Sequence, residues 1–187
     1  MESPQDFGQY VSLHFAKQDI VERAVSFKCL SLTVLRAALV RVAAFLRDDA
    51  ACRFTQLTDI TAVHYPENAE EFALVYHLAA PMPNRRIRLK VQTARDVAVS
   101  SLCAVFPNAA WYEREIREMF GVSFENHPDL RRLLTDDALA GFPLTKDFPT
   151  AGRDRLLYDE GKGRFVLEEK RPEPQKNLIA VNLAGEE

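Results

Sequence analysis

The side chains best able to do chemistry crowd into WYEREIREMFGVSFENHPDLRRLL, from Trp111 to Leu134. His127 is followed by Pro128 and Asp129, a setting that could orient an imidazole, and a His–Asp pair can serve as general acid or base. Glu113, Glu115 and Glu118 stand just before it. A freestanding hydrolase using His127 and Asp129 would also need a nucleophile. There is no Gly-x-Ser-x-Gly elbow, and Cys29, Cys52 and Cys103 sit in FKCLSL, AACRF and SLCAV, which offer little to acidify a thiol. The hydrolase is the weaker reading.

Cofactor chemistry is tested by spacing. Iron–sulfur and structural zinc sites draw two thiolates from one short turn, whereas these cysteines are far apart in the chain. The glycines of EGKGR match neither a phosphate loop nor a dinucleotide fingerprint. His64 and His77 fall in strand-like segments without ligand-spaced companions and read as hydrogen-bonded sheet histidines.

The same run can instead be read as a binding surface. Glu113 can pair with Arg117, and Arg114 with Glu118, each exposed i,i+4 pair contributing about 0.3–0.5 kcal/mol. Trp111, Tyr112, Met119 and Phe120 bracket these charges, and Arg131 and Arg132 follow. Arginine together with large aromatics is the composition of interface hot spots. The Pro-containing chain beyond must also find partners for its backbone N–H and C=O groups. Lying against a second chain, its arginines could fork onto that chain's carboxylates or carbonyls.

The rest of the sequence has to position this run. With 187 residues, 47% of them hydrophobic, and a formal charge of -3, it has the make-up of a soluble globular domain and no basic stripe for nucleic acid. No apolar run is long enough to span a bilayer and no export signal is visible, so the reading is a chain of the cytosol or of a membrane's cytosolic face. The odd, dispersed cysteines read as buried free thiols in a reducing compartment.

DIVERAVSF is compatible with helix or strand. Leu35, Ala38, Leu39, Val42, Ala43 and Leu46 recur at helical spacing, with Thr33 as N-cap. FTQLTDITAVHY, EFALVYHLAA and RRIRLKVQT read as strands of an antiparallel meander, the second buried on both faces and the third with one wet face. Asp96 is placed to cap a second helix through DVAVSSLCAVF, ended by Pro107. Asn108 caps a third, closed by Gly121. The expectation is an α+β domain over 1–121, a small, mostly antiparallel sheet covered by helices. Residues 122–187 follow as an extended, largely irregular interface segment that wraps partners, ending in the charged tail LEEKRPEPQKN.

The spacing Glu113-Arg114-Glu115, Glu118, Met119-Phe120, His127, Arg131, Leu133-Leu134 resembles the signature of the 30 kDa subunit family, the C subunit of proton-pumping NADH:quinone oxidoreductase, respiratory complex I. CRFTQLTDITAVHYP, FALVYHL, RIRLKVQ, VFPNAAWYERE, HPDLRRLLTD and FPLTKDFP extend the likeness, in the family's order, over roughly residues 30–150. Thr145 departs from it: the family typically carries arginine in PLRKD, while Lys146 and Asp147 remain.

The resemblance implies a non-catalytic structural subunit of the peripheral arm's quinone-reducing module. By that implication it carries no cofactor, metal or quinone site of its own. FMN, iron–sulfur clusters and quinone belong to partner subunits. The expected partners are the quinone-site subunit and the subunit holding the terminal iron–sulfur cluster, in an obligate hetero-oligomer. Membrane association would then be indirect, on the cytoplasmic face of a bacterial inner membrane or the matrix face of a mitochondrial one. The likeness also fits the equivalent subunit of a membrane-bound hydrogenase or another quinone-linked complex. The expected interface comprises Trp111, Tyr112, Glu113, Arg114, Glu115, Glu118 and Phe120 on the helix. His127, Asp129, Arg131 and Arg132 continue it, with Pro143, Lys146 and Asp147 beyond.

Overall fold

In RRIRLKVQT every second residue is aliphatic, and that alternation divides the central sheet into two unlike faces. The computed structural model describes residues 3–82, 84–135, 139–149 and 154–169. It divides into two compact units, one ending at Phe148 and the other beginning at Pro149.

The first unit is α+β, as the hydrophobic pattern predicts. Its sheet contains β1 (Ile20–Ser26), β2 (Cys29–Val34), β3 (Gln56–His64), β4 (Phe72–Ala80) and β5 (Arg85–Thr93). The spatial order is β1-β2-β5-β4-β3, antiparallel throughout except where β2 runs parallel to β5. The meander β3-β4-β5 appears as expected. Three helices, α1 (Pro4–Leu13), α2 (Leu39–Asp48) and α3 (Ala109–Phe120), share one core with it. Leu30 and Leu32 of β2, Ile87, Leu89 and Val91 of β5, and Leu74, Tyr76 and Leu78 of β4 supply the sheet's side of that core. Residues directly opposite across paired strands share a face, so the pairings Leu74–Val91, Tyr76–Leu89 and Leu78–Ile87 keep it continuous.

DIVERAVSF, compatible with helix or strand, contributes β1, an edge strand whose residues beyond Ile20 are exposed. Three expectations need correction. Thr33 is not a helix cap. It lies in β2, donates its hydroxyl to Glu22, and the helix starts only after a single 3-10 turn at Arg36–Ala38. The β-branched pair Thr33–Val34 keeps the chain extended there. DVAVSSLCAVF forms no helix. Val99–Ser100 (β6) pairs parallel with Phe124–Glu125 (β7), and Ser101 N–H donates to Glu125 O. Val97, Val99 and two serines are weak helix formers, and the Thr93 hydroxyl, donating to Val97 O, holds the preceding turn open. Finally, β4 is not buried on both faces. Ala73, His77 and Ala79 on its outer side are only half-buried.

Gly121 ends α3 at φ 82°, as a left-handed C-terminal residue should. Asn108 occupies the N-cap position of α3 but makes no capping bond, because its amide donates to Leu57 O at 2.8 Å.

The second unit contributes a structure that the irregular reading of 122–187 missed. Strands β8 (Asp154–Asp159) and β9 (Arg164–Glu169) form an antiparallel hairpin. Lys162 bonds Asp159 across its turn, and the rings of Tyr158 and Phe165 meet edge-on at 5.2 Å. The tail LEEKRPEPQKN begins within β9, and its part from residue 170 onward lies outside the described residues.

Candidate functional site

Helix α3 lays Ala109, Ile116, Met119 and Phe120 on the core, and two of its glutamates go in with them. Glu113 is fully buried. One carboxylate oxygen accepts Leu102 N–H at 2.8 Å and the other accepts the Cys103 thiol at 3.8 Å. Burial pushes its carboxyl above the ordinary range, against the hydrogen bonds that favour the charge. Glu118, one turn later, is 6% exposed. It accepts the N–H groups of Leu133, Leu134 and Thr135 and the Thr135 hydroxyl. Burial would raise this carboxyl too, but those donors overcome it and bring it down to about 2. Two acids of one helix thus shift in opposite directions: desolvation governs the deeper Glu113, and the strap's donors govern Glu118.

Arg114, between them, donates to Arg131 O at 2.8 Å and Arg132 O at 2.7 Å, and its guanidinium lies 5.7 Å from the Trp111 ring centre. Arg132 donates to the Thr135 hydroxyl and Leu139 O. Arg117 turns to Gly121 O and Ser123 Oγ. The expected pairs Glu113–Arg117 and Arg114–Glu118 therefore do not form. These side chains build an irregular strap, described over residues 127–135 and 139–148, satisfying backbone groups that such a run must otherwise leave bare.

The strap's far end is fixed as firmly. Leu144 N–H donates to Met119 O. The Phe142 ring presses on Gly121, where an added Cβ would lie 2.5 Å from it, so glycine is needed there for packing as well as for backbone angle. Lys146 N–H donates to His64 Nδ1 at 3.0 Å, which leaves the His64 proton on Nε2, toward Glu71 at 3.0 Å. Arg95 grips both oxygens of Glu71 and reaches Asp147 at 3.0 Å. That hydrogen-bonding holds the Glu71 carboxyl below its usual range. Thr145 is buried, and its hydroxyl closes the turn onto Phe142 O.

His127 makes no dyad with Asp129. Asp129 N–H donates to Nδ1 at 2.9 Å, so Nε2 carries the proton, directed at Ala110 O at 3.1 Å. The Asp129 carboxylate is taken by Arg131, which keeps its carboxyl well below the usual range. Neither ring nitrogen is free to act as a base. Among the described residues, Cys103, Glu113 and His127 are a trio whose ligating atoms lie within 4.8 Å of one another. A metal there would need a lone pair that the His127 hydrogen bonds already use, and burial raises the Cys103 thiol rather than releasing a thiolate. Tyr76 ends close by in electrostatic terms, its hydroxyl fully buried and unpartnered among the described residues.

A family model for the respiratory-chain NADH dehydrogenase 30 kDa subunit matches residues 32–154. The chain belongs to this family. The C subunit of NADH-quinone oxidoreductase from Caulobacter vibrioides is 48% identical over 164 residues, 84% of this chain and 83% of that protein. Its counterpart of the same name from Parvibaculum lavamentivorans is 46% identical over 167 residues, 89% of this chain and 83% of its own. A solved chain of the membrane-bound sulfane sulfur reductase, an archaeal respiratory membrane complex, superposes with TM-score 0.66 at 23% identity. It covers 78% of this chain and 85% of that one, and shows the fold alone.

As a member of the 30 kDa subunit family, the chain is one component of a hetero-oligomeric enzyme complex, an NADH-quinone oxidoreductase. No helix among the described residues is long and apolar enough to cross a membrane. The family signature maps onto the strap and its supports. Glu113, Glu118 and Phe120 are buried, while Tyr112, Arg114, His127, Asp129, Arg132 and Pro143 are half-buried. Trp111, Glu115, Arg131, Lys146 and Asp147 face outward. The cluster of His64, Glu71, Arg95 and Asp147 escaped the sequence reading. Its members are scattered along the chain: the β3-β4-β5 meander brings His64, Glu71 and Arg95 together, and the strap adds Asp147. Of the three cysteines, only Cys52 is fully buried, with its thiol pushed up to about 12 by burial and by Asp49.

Proposed function

We propose that this chain is a structural, redox-silent subunit of the quinone-reducing module of an NADH-quinone oxidoreductase. It holds the quinone-site subunit and the subunit carrying the terminal iron–sulfur cluster in register, because electron transfer and quinone reduction tolerate little misplacement. It sits on the cytoplasmic face of a bacterial inner membrane, or the matrix face in an organelle, attached through its partners. The outward residues Trp111, Glu115, Arg131, Lys146 and Asp147 belong to the docking surface.

The observation that carries this reading is the fate of the reactive side chains. His127, Glu118, Arg114 and Asp129 are all spent on bonds within the chain that shape α3 and the strap. The names of the relatives supply the complex in which that shape is used.

A tagged copy of the chain, recovered from membranes solubilised in mild detergent, tests it. The expected result is co-purification of quinone-reducing subunits, and no iron, flavin or turnover in the chain purified alone. Stoichiometric iron or flavin in the lone chain, or its recovery free of other subunits, would overturn the reading.

A further inference from the structure

The sheet face turned away from the helices carries a basic ladder. Arg86, Arg88 and Lys90 are successive outward positions of β5, about 7 Å apart along the strand. Across the register, Arg88 lies between Ser31 of β2 and His77 of β4, and Lys90 between Thr33 and Val75. These neighbours are short or uncharged, so the guanidiniums and the amine stand over a low floor. Among the described residues no carboxylate pairs with any of the three, in a molecule of net charge -3. Among the described residues Arg88 Nε is buried without a hydrogen-bond partner. A desolvated donor left without an acceptor is costly, and native chains rarely keep one without a reason. Burial and the Arg88 charge also hold His77 below its ordinary range, so it adds no cation of its own at neutral pH.

We infer that this face, beyond the residues of α3 and the strap, is a second docking surface, and that its occupant is an acidic segment of another subunit of the complex. Planar guanidiniums in a row suit carboxylates, which they can grip two bonds at a time. The positive strip is one strand wide, with Glu22 on β1 and Asp59 on β3 flanking it two strands away on either side. A continuous polyanion, such as nucleic acid or an anionic bilayer, would meet those carboxylates. A short acidic loop or strand lying along β5 would not. The inference rests on the proposed membership in the assembled complex.

The test compares lysine acetylation in the purified intact complex and in the free full-length chain. Lys90 should react at least tenfold more slowly in the complex, and carbodiimide coupling there should join Lys90 to an aspartate or glutamate of a different subunit. The Arg86→Glu, Arg88→Glu double variant should lower incorporation into the complex at least tenfold, with Arg88→Lys restoring part of it. Equal reactivity of Lys90 in both states would overturn the inference even if the double variant fails to fold. Coupling to a second copy of this chain, or protection of Lys90 by anionic phospholipid vesicles alone, would also overturn it. If the chain co-purifies with no other subunit, the functional reading fails and takes this inference with it. Co-purification with an open Lys90 removes the inference only.

Discussion

Helix α3 with its strap and the outer face of β5 are both rich in arginine, yet they use it in opposite ways. On the strap side several charges have found partners within the chain: Arg114 and Arg132 cap carbonyls, Glu118 caps N–H groups, and Arg95 joins Glu71 to Asp147. On β5, Arg86, Arg88 and Lys90 have no carboxylate to pair with among the described residues, and one nitrogen is buried unsatisfied. Arginine composition does not by itself mark an interface. A guanidinium that caps the chain's own carbonyls is part of the fold, while one left desolvated and unpaired is waiting for another molecule.

The contrast can be broken most decisively at Glu118. Replacing it with alanine strips the acceptor from three backbone N–H groups and a hydroxyl, and should destabilise the free chain by about 3–5 kcal/mol in chemical denaturation. Its pH dependence has a definite sign. The folded carboxyl lies at about 2, below its ordinary 4.5, so its contribution is complete above pH 4.5 and lost as pH falls toward 2. In the alanine variant that part of the acid unfolding curve should flatten. A smaller loss, about 1–2 kcal/mol, is expected for Arg114→Ala, which frees the carbonyl of exposed Arg131 and that of half-buried Arg132. If it melts like the parent, the strap is held by something else.

Arg131→Ala sharpens the comparison from the other side. Its side chain is 84% exposed and bonded to Asp129 two residues away, so the free chain should melt almost as the parent does. Any larger effect, seen only in the yield of assembled complex, would assign Arg131 to the interface. The smallest effect belongs to Arg88→Met. Removing an unsatisfied nitrogen while keeping the apolar stem should leave the free chain's melting unchanged or raise its stability by up to about 1 kcal/mol.

The sequence shows the β3-β4-β5 meander and two of the helices because their signals are local: alternation in β3 and β5, helical spacing from Ala38 to Leu46, and Gly121 after Phe120; α1 and β2, in the weakly patterned first third, it does not show. It misplaces the helix start at Thr33 and invents a helix at DVAVSSLCAVF because tertiary partners decide both. β1 and β5 hold Thr33 extended, and β7 and Glu113 claim the backbone of Val99 to Leu102. The family signature is legible as a string, but its physical meaning is not. Nothing in the spacing of Glu118 and Leu133 shows that one caps the other, or that Arg114 turns from Glu118 to two carbonyls. The corner of His64, Glu71, Arg95 and Asp147 is hidden for the same reason, since it takes the ends of β3, β4 and β5 and the returning strap to assemble it.

The strap must be built by this chain's own side chains before any partner arrives. Amide hydrogen exchange of the free full-length chain, read at Leu133, Leu134 and Thr135, tests that most directly. The expected result is exchange slowed at least a hundredfold relative to an unstructured peptide, with the protection lost in Glu118→Ala. Exchange at the unstructured rate in the free chain, with protection arising only in the assembled complex, would contradict it.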